Sequence, residues 1–271
     1  MAGRVTLTKA VLLLIPIHSM SSIALPQSTS EKLDQISRNF VWGSNSECRK
    51  QHLVTWSKVC LPKSEGGLGI RLAKDMNEAL LGKVGWRLLH DRDSLWARVL
   101  RSKYKVEDSH DQNWMASKKC GSSTWHSVKL GLRDVVVLGL GWVVGDGREV
   151  CFWTDKWLSN ETLLDSAALE VPAVFLELRV RDLWGNQAGW DFTRIRDYVS
   201  ENTRLKLLAM VLDTVTGVKD RLSWSETSDG AFTVTLAYGL LTHNYTPRLN
   251  MSSMLDQTWR LAVPERVQFF L

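Results

Sequence analysis

Apolar positions recur at helical spacing through the first 105 residues. Arg4 to Ile15 reads as a helix stopped by Pro16, because proline removes an amide donor and clashes with the preceding turn. Ser28-x-x-Glu31 has the form of a capping box. Leu33, Ile36, Phe40 and Val41 follow it on one helical face, and Gly43 closes the segment. A helix capped by Asp75 carries Met76, Ala79, Leu80, Val84 and Leu88 on one side. Another, starting at Asp93, has Leu95, Trp96, Val99, Leu100 and Tyr104 as its apolar stripe, with Arg98, Arg101, Lys103 and Lys105 facing outward. Between these helices the run LVTWSKVC, residues 53–60, suits a short strand.

The pattern changes after about residue 105. A polar stretch over 106–125 reads as a linker between a basic helical module, 1–105, and a mixed module, 126–271. In the mixed module, alternating apolar residues flank Gly145-Asp146-Gly147 and Ser228-Asp229-Gly230. Both are hairpin signals, placing hairpins near 140–153 and 221–234. Helical segments are expected near 194–215 and 235–242, and the fold class is therefore α+β.

Charge sharpens this division. Residues 1–105 hold 17 lysines and arginines against 8 acids, a net +9, whereas 106–271 hold 17 against 21, a net −4. A basic module suits a polyanionic partner, because each neutralised phosphate releases counterions; the competing reading is a solvated basic face with no partner. The 44% hydrophobic and 23% charged composition is that of a folded globular chain. Thirteen tryptophans fit buried core positions better than binding platforms.

Candidate chemistry is sparse. The loop LPKSEGGLGIR, residues 61–71, fails the dinucleotide fingerprint because position 72 is Leu, and fails the P-loop because Gly69 is followed by Ile70 and Arg71. Glycines supplying a sharp turn before a helix explain it better than a phosphate cradle. Cys48, Cys60, Cys120 and Cys151 form no CxxC pair. Cys48, His52 and Cys60 are too irregularly spaced for a zinc site, and reduced intracellular thiols are expected. His18, His52, His90, His110, His126 and His243 form no cluster. The close acidic pairs Asp91 with Asp93 and Glu107 with Asp108 sit at helix ends or in the linker, not in an apolar two-metal setting. No catalytic constellation can be assembled, and no cofactor or metal is expected in this chain. The first 24 residues also imitate a secretory leader, with Arg4 and Lys9 before AVLLLIPI and small residues up to Ala24. The apolar run is too short to span a bilayer.

The order of the segments carries more weight than any one of them. AGRVTLTKAVLLLIPIHSM, LDQISRNFVWG, VTWSKVCLPKSEGGLGIR, NEALLGKVGWRLL and LWARVLRSKY closely resemble the stretch after the palm of plant LINE-type (non-LTR) retroelement reverse transcriptases. GWVVGDGREVCFWTDKWL, RLSWSETSDGAFTV and the closing AVPERVQFFL resemble the connection leading to that family's zinc-binding region. The resemblance implies thumb and connector parts of an RNA-directed DNA polymerase. Its catalytic Y-x-D-D motif would lie before residue 1, and its zinc ligands and ribonuclease H carboxylates after residue 271. It also implies an internal origin for residues 1–24, which weakens the leader reading, and an intracellular, nuclear setting with no membrane partner. A template–primer of RNA and DNA would then be the partner, contacted by Lys63, Arg71, Lys83, Arg87, Arg101, Lys103 and Lys105. Two other readings stand beside this one: an interaction module without nucleic-acid binding, and a secreted protein.

Overall fold

The computed structural model describes residues 2–44, 54–91, 93–106, 121–185, 189–213 and 216–242. It divides into two compact units, residues 1–137 with 233–271, and residues 138–232. The boundary thus falls beyond the expected linker at 106–125, of which 107–120 lie outside the described residues. The physical reason is the helix α7 (Ser123–Gly131), which packs on α5 (Ala73–His90) and so belongs to the basic unit. Counting by unit widens the charge contrast. Residues 138–232 hold 10 basic and 15 acidic side chains, a net −5, which leaves 24 against 14, a net +10, for the other unit.

The basic unit is built around α5. Before it come α1 (Ala2–Leu7), which continues into a wider π-type turn at Thr8–Leu12, then α2 (Ile17–Met20), α3 (Gln27–Trp42) and α4 (Trp56–Val59). After it come α6 (Leu95–Tyr104) and α7, and the chain returns at α10 (Val234–Thr242) to pack on α5 again. Leu81, Leu88 and Ala79 are almost fully buried on α5. The α5–α7 approach is close enough that a Cβ on Gly131 would collide with the Leu81 backbone. A second core joins Val5, Val41, Trp56, Val59, Cys60 and Ile70. Among the described residues no helix is long and apolar enough to cross a membrane.

Several local expectations change here. The run ending in Cys60 holds a short helix, α4, instead of a strand, because Trp56 and Val59 turn inward together toward Val41 and Ile70. Residue 53 of that run lies outside the described residues. The capping box at Ser28 does not form: α3 starts at Gln27 after Pro26, and Glu31 accepts from the Gln27 side chain at 2.8 Å. Asp75 lies inside the first turn of α5 and does not cap it. Asp34 of α3 does that work, accepting from the Ala73 N–H at 3.1 Å. At α6 the N-cap is Ser94, whose N–H is held by Asp91 at 3.2 Å.

The acidic unit is the α+β part. β1 (Leu140–Val143) pairs antiparallel with β4 (Arg221–Trp224), with Leu140 opposite Trp224 and Trp142 opposite Leu222. A second pair joins β2 (Trp184–Gly185) to β3 (Gly189–Trp190). Helices α8 (Ala173–Leu176) and α9 (Glu201–Leu208) complete it. Neither expected hairpin forms. In the first, β1 takes β4 as its partner, and residues 144–150 become a loop wound around one carboxylate. Asp220 accepts from Gly145 N–H at 2.7 Å, Gly147 N–H at 2.9 Å and Glu149 N–H at 2.7 Å. In the second, β4 ends in a turn closed by Trp224 N–H to the Gly230 carbonyl at 2.9 Å, and no strand follows among the described residues. Trp224 still meets Phe232 across it, with ring centroids 4.7 Å apart.

Tryptophans occupy the cores as expected: Trp56, Trp86, Trp125, Trp142, Trp153, Trp157, Trp184 and Trp224 are all buried. In the acidic unit Phe152, Trp153, Trp157 and Trp190 form a continuous aromatic cluster.

Candidate nucleic-acid interface

The glycine loop settles first, because its backbone can be followed atom by atom. Gly66 N–H reaches the Lys63 carbonyl at 3.2 Å, and Gly67 N–H the Pro62 carbonyl at 3.0 Å. Leu68 N–H reaches Val59 and Gly69 N–H reaches Leu61, both at 2.8 Å. A phosphate cradle needs amides pointing outward, and these four are spent internally. Gly66 and Gly69 have φ of 81° and 62°, and a Cβ on Gly67 would run into the Leu61 carbonyl. The loop is a turn built from glycine for steric reasons.

The seven basic candidates separate into two groups. Lys63, Lys83, Arg87, Lys103 and Lys105 are exposed. Lys83 and Arg87 stand one turn apart on α5, and the Arg87 guanidinium lies 5.5 Å from the Trp96 ring of α6 and 3.8 Å from Asp91. Lys103 lies 5.3 Å from the Tyr104 ring, and Lys105 terminates α6 in the left-handed conformation.

Arg71 and Arg101 are different. Arg101 faces inward, contrary to the helical-wheel expectation. Its Nε and Nη2 donate to the Leu88 carbonyl at 3.0 and 2.7 Å, and Nη2 also donates to the Leu89 carbonyl at 3.0 Å. Those are last-turn carbonyls of α5, so the side chain is a helix cap supplied by a neighbouring helix. Arg71 is half-buried; it donates to Thr235 Oγ1 at 3.4 Å and lies 5.6 Å from the Tyr238 ring of α10.

Arg71 also lines a cavity of about 400 Å3. Leu61, Ile70, Leu72 and Gly69 supply one side, and Thr235, Tyr238 and Gly239 the other. The Tyr238 hydroxyl accepts from Leu72 N–H at 3.1 Å, and burial pushes its pKa up to about 12. Burial, with the nearby carboxyls of Asp34 and Asp75, also pushes the Cys60 thiol well above its ordinary range. That thiol is inert as a nucleophile at neutral pH. Burial likewise raises the carboxyls of Asp34 and Asp75. Folding therefore favours their protonated forms. Their contribution to stability is present below the ordinary carboxylate range and declines as pH rises through the raised values.

Sequence reasoning passed over Lys9, whose Nζ lies 3.6 Å from where a Cβ on Gly69 would sit. Burial and then the Lys63 ammonium lower its pKa. Only a contact 60 residues away in sequence makes Lys9 part of this site, and periodicity carries no trace of it. Among the described residues no group of three His, Cys, Asp or Glu side chains is placed to hold a metal. Cys48, His52, Cys120, His110, His243, Glu107 and Asp108 lie outside the described residues.

No family model and no solved structure matches the chain. Over 270 residues it is 54% identical to an Arabidopsis thaliana protein provisionally named ribonuclease H protein At1g65750, covering all of this chain and 44% of that protein. Over 151 residues it is 34% identical to the uncharacterized mitochondrial protein AtMg00310 of the same plant, covering 55% of this chain and 96% of that protein. The chain spans less than half the length of the first relative and nearly the whole of the second. These plant relatives support a retroelement-related origin for the chain. The chain belongs to the plant protein family represented by AtMg00310.

Proposed function

We propose that this chain is a non-catalytic part of a retroelement reverse transcriptase, and that its basic unit holds an RNA–DNA template–primer by the phosphate backbone. The observation that carries the reading is the exposure of Lys63, Lys83, Arg87, Lys103 and Lys105 on a unit of net charge +10. Long cations with solvated heads contact phosphates without selecting a sequence, which suits an element that positions a duplex. The ribonuclease H name of a 54%-identical relative supports the same setting of RNA–DNA duplexes. A polymerase palm and downstream zinc-binding and ribonuclease H regions would be the partners within a parent protein, acting in the nucleus.

Charge removal tests the reading. Lys83→Gln with Arg87→Gln is expected to weaken binding of a primed RNA template uniformly across sequences. The slope of log affinity against log salt should fall by about 2, roughly 0.9 for each lost contact. Arg101→Gln should leave that slope unchanged and lower the melting temperature instead, because it uncaps α5. An unchanged slope in the double variant would remove Lys83 and Arg87 from the interface.

A second reading, an interaction module without nucleic-acid binding, is favoured by one feature. Leu7, Val11, Leu14 and Ile15 recur at helical spacing near the start of the chain, and all four are exposed, Ile15 by 72%. Failure of the chain to bind any nucleic acid, with retained folding, would favour it.

A further inference from the structure

We infer that the cavity between the glycine loop and α10 is a nucleotide site, taking a heteroaromatic base between its walls and a phosphate at its rim. Its volume of about 400 Å3 falls within the range of about 300–1,000 Å3 typical of small-ligand pockets. The walls are apolar, from Leu61, Ile70 and Leu72, and two planar groups are present, the Tyr238 ring and the Arg71 guanidinium 5.6 Å from it. Bases of every kind stack on such planes, because each has a π face. Ser57, Thr235 and Thr242 add hydroxyls for a base edge or a sugar.

The rim supplies the anion side. Gly69 lines the cavity, and Lys9 reaches the position beside it, brought there by the π-type turn at Thr8–Leu12. Lys63 is close enough to Lys9 for their charges to repel. Arg71 and Glu65 line the cavity itself, and the Lys9 ammonium lies beside Gly69. The site rests on the backbone-binding reading only for one source of its nucleotide, an unpaired position in a bound strand; the other source is a free nucleotide.

Gly239 offers a blocking variant that should fold. A Cβ there meets nothing within 4 Å, and replacing a glycine inside α10 raises helix propensity. In the full chain, Gly239→Leu is expected to weaken binding of a short single-stranded oligonucleotide about tenfold, and so is an abasic position in that oligonucleotide. An RNA–DNA hybrid should bind Gly239→Leu and the parent chain alike. Lys9→Gln should weaken the oligonucleotide and adenosine monophosphate together. If the monophosphate binds and is lost in Gly239→Leu while no hybrid binds, the site stands with free nucleotide as its source, and the backbone reading fails. If the hybrid binds with normal salt dependence but Gly239→Leu changes neither the oligonucleotide nor the monophosphate, the nucleotide site is overturned and the backbone reading survives. No binding of any probe overturns both.

Discussion

Asp220→Ala is expected to destabilise the acidic unit by about 4 kcal/mol, since leaving a buried donor unpaired costs roughly 1–3 kcal/mol and three are involved. Asp220 is 7% exposed and accepts from the amides of Gly145, Gly147 and Glu149, so one side chain fixes the whole loop after β1. Water can reach the exposed Glu149 end, which keeps the estimate near the lower end of the roughly 3–9 kcal/mol that three such donors span. Asp220 also directly precedes β4, the strand that pairs with β1, so the same carboxylate joins loop and sheet. Asp220→Asn should cost less, retaining one acceptor oxygen but presenting an amide donor to one of the three N–H groups. Denaturant titration followed by the fluorescence of buried Trp153 and Trp224 measures both. A shift within error for Asp220→Ala would mean that the loop is held by something else.

Asn77→Ala should have the next largest effect, about 3 kcal/mol, on the basic unit. The Asn77 side chain is buried on α5. It accepts from Leu25 N–H at 2.8 Å and donates to the Met20 and Ile23 carbonyls at 2.7 and 3.0 Å. The neighbouring Ala24 N–H is held by Ser127 Oγ at 2.8 Å, so the connection between α2 and α3 has polar anchors on both α5 and α7. Removing Asn77 frees two carbonyls and one amide together. Hydrogen exchange at Leu25 should speed up strongly, while Asp220-dependent protection of Gly145 and Gly147 stays as it was. Equal loss of protection in both regions would show that the units do not unfold independently.

These two side chains also show where sequence reading stopped. The long helices were legible: α5 and α6 appear where apolar spacing placed them, because their faces are set within a few turns of local sequence. The Gly-Asp-Gly signal at 145–147 was a true turn signal but a false hairpin signal. Its partner is Asp220, 73–75 residues away, and a local pattern cannot reveal which strand or carboxylate will arrive there. The cap of α5 likewise came from Asp34, 39 residues away, with Asp75 left inside the first turn. For the candidate interface, composition identified the basic half. It could not distinguish Arg87, whose head is solvated, from Arg101, whose head closes the end of α5. Lys9 and the cavity beside Gly69 were invisible for the same reason: the first depends on the turn at Thr8–Leu12 reaching the glycine loop, the second on that loop meeting α10.

We propose that the basic unit grips nucleic acid through phosphates. The most direct test is the affinity of the unmodified chain for an RNA–DNA hybrid, measured across a salt series with several sequences. The expected result is a linear fall of log affinity with log salt, with nearly the same affinity for every sequence at each salt concentration. Affinity that does not change with salt, or that appears for only one sequence, would contradict it.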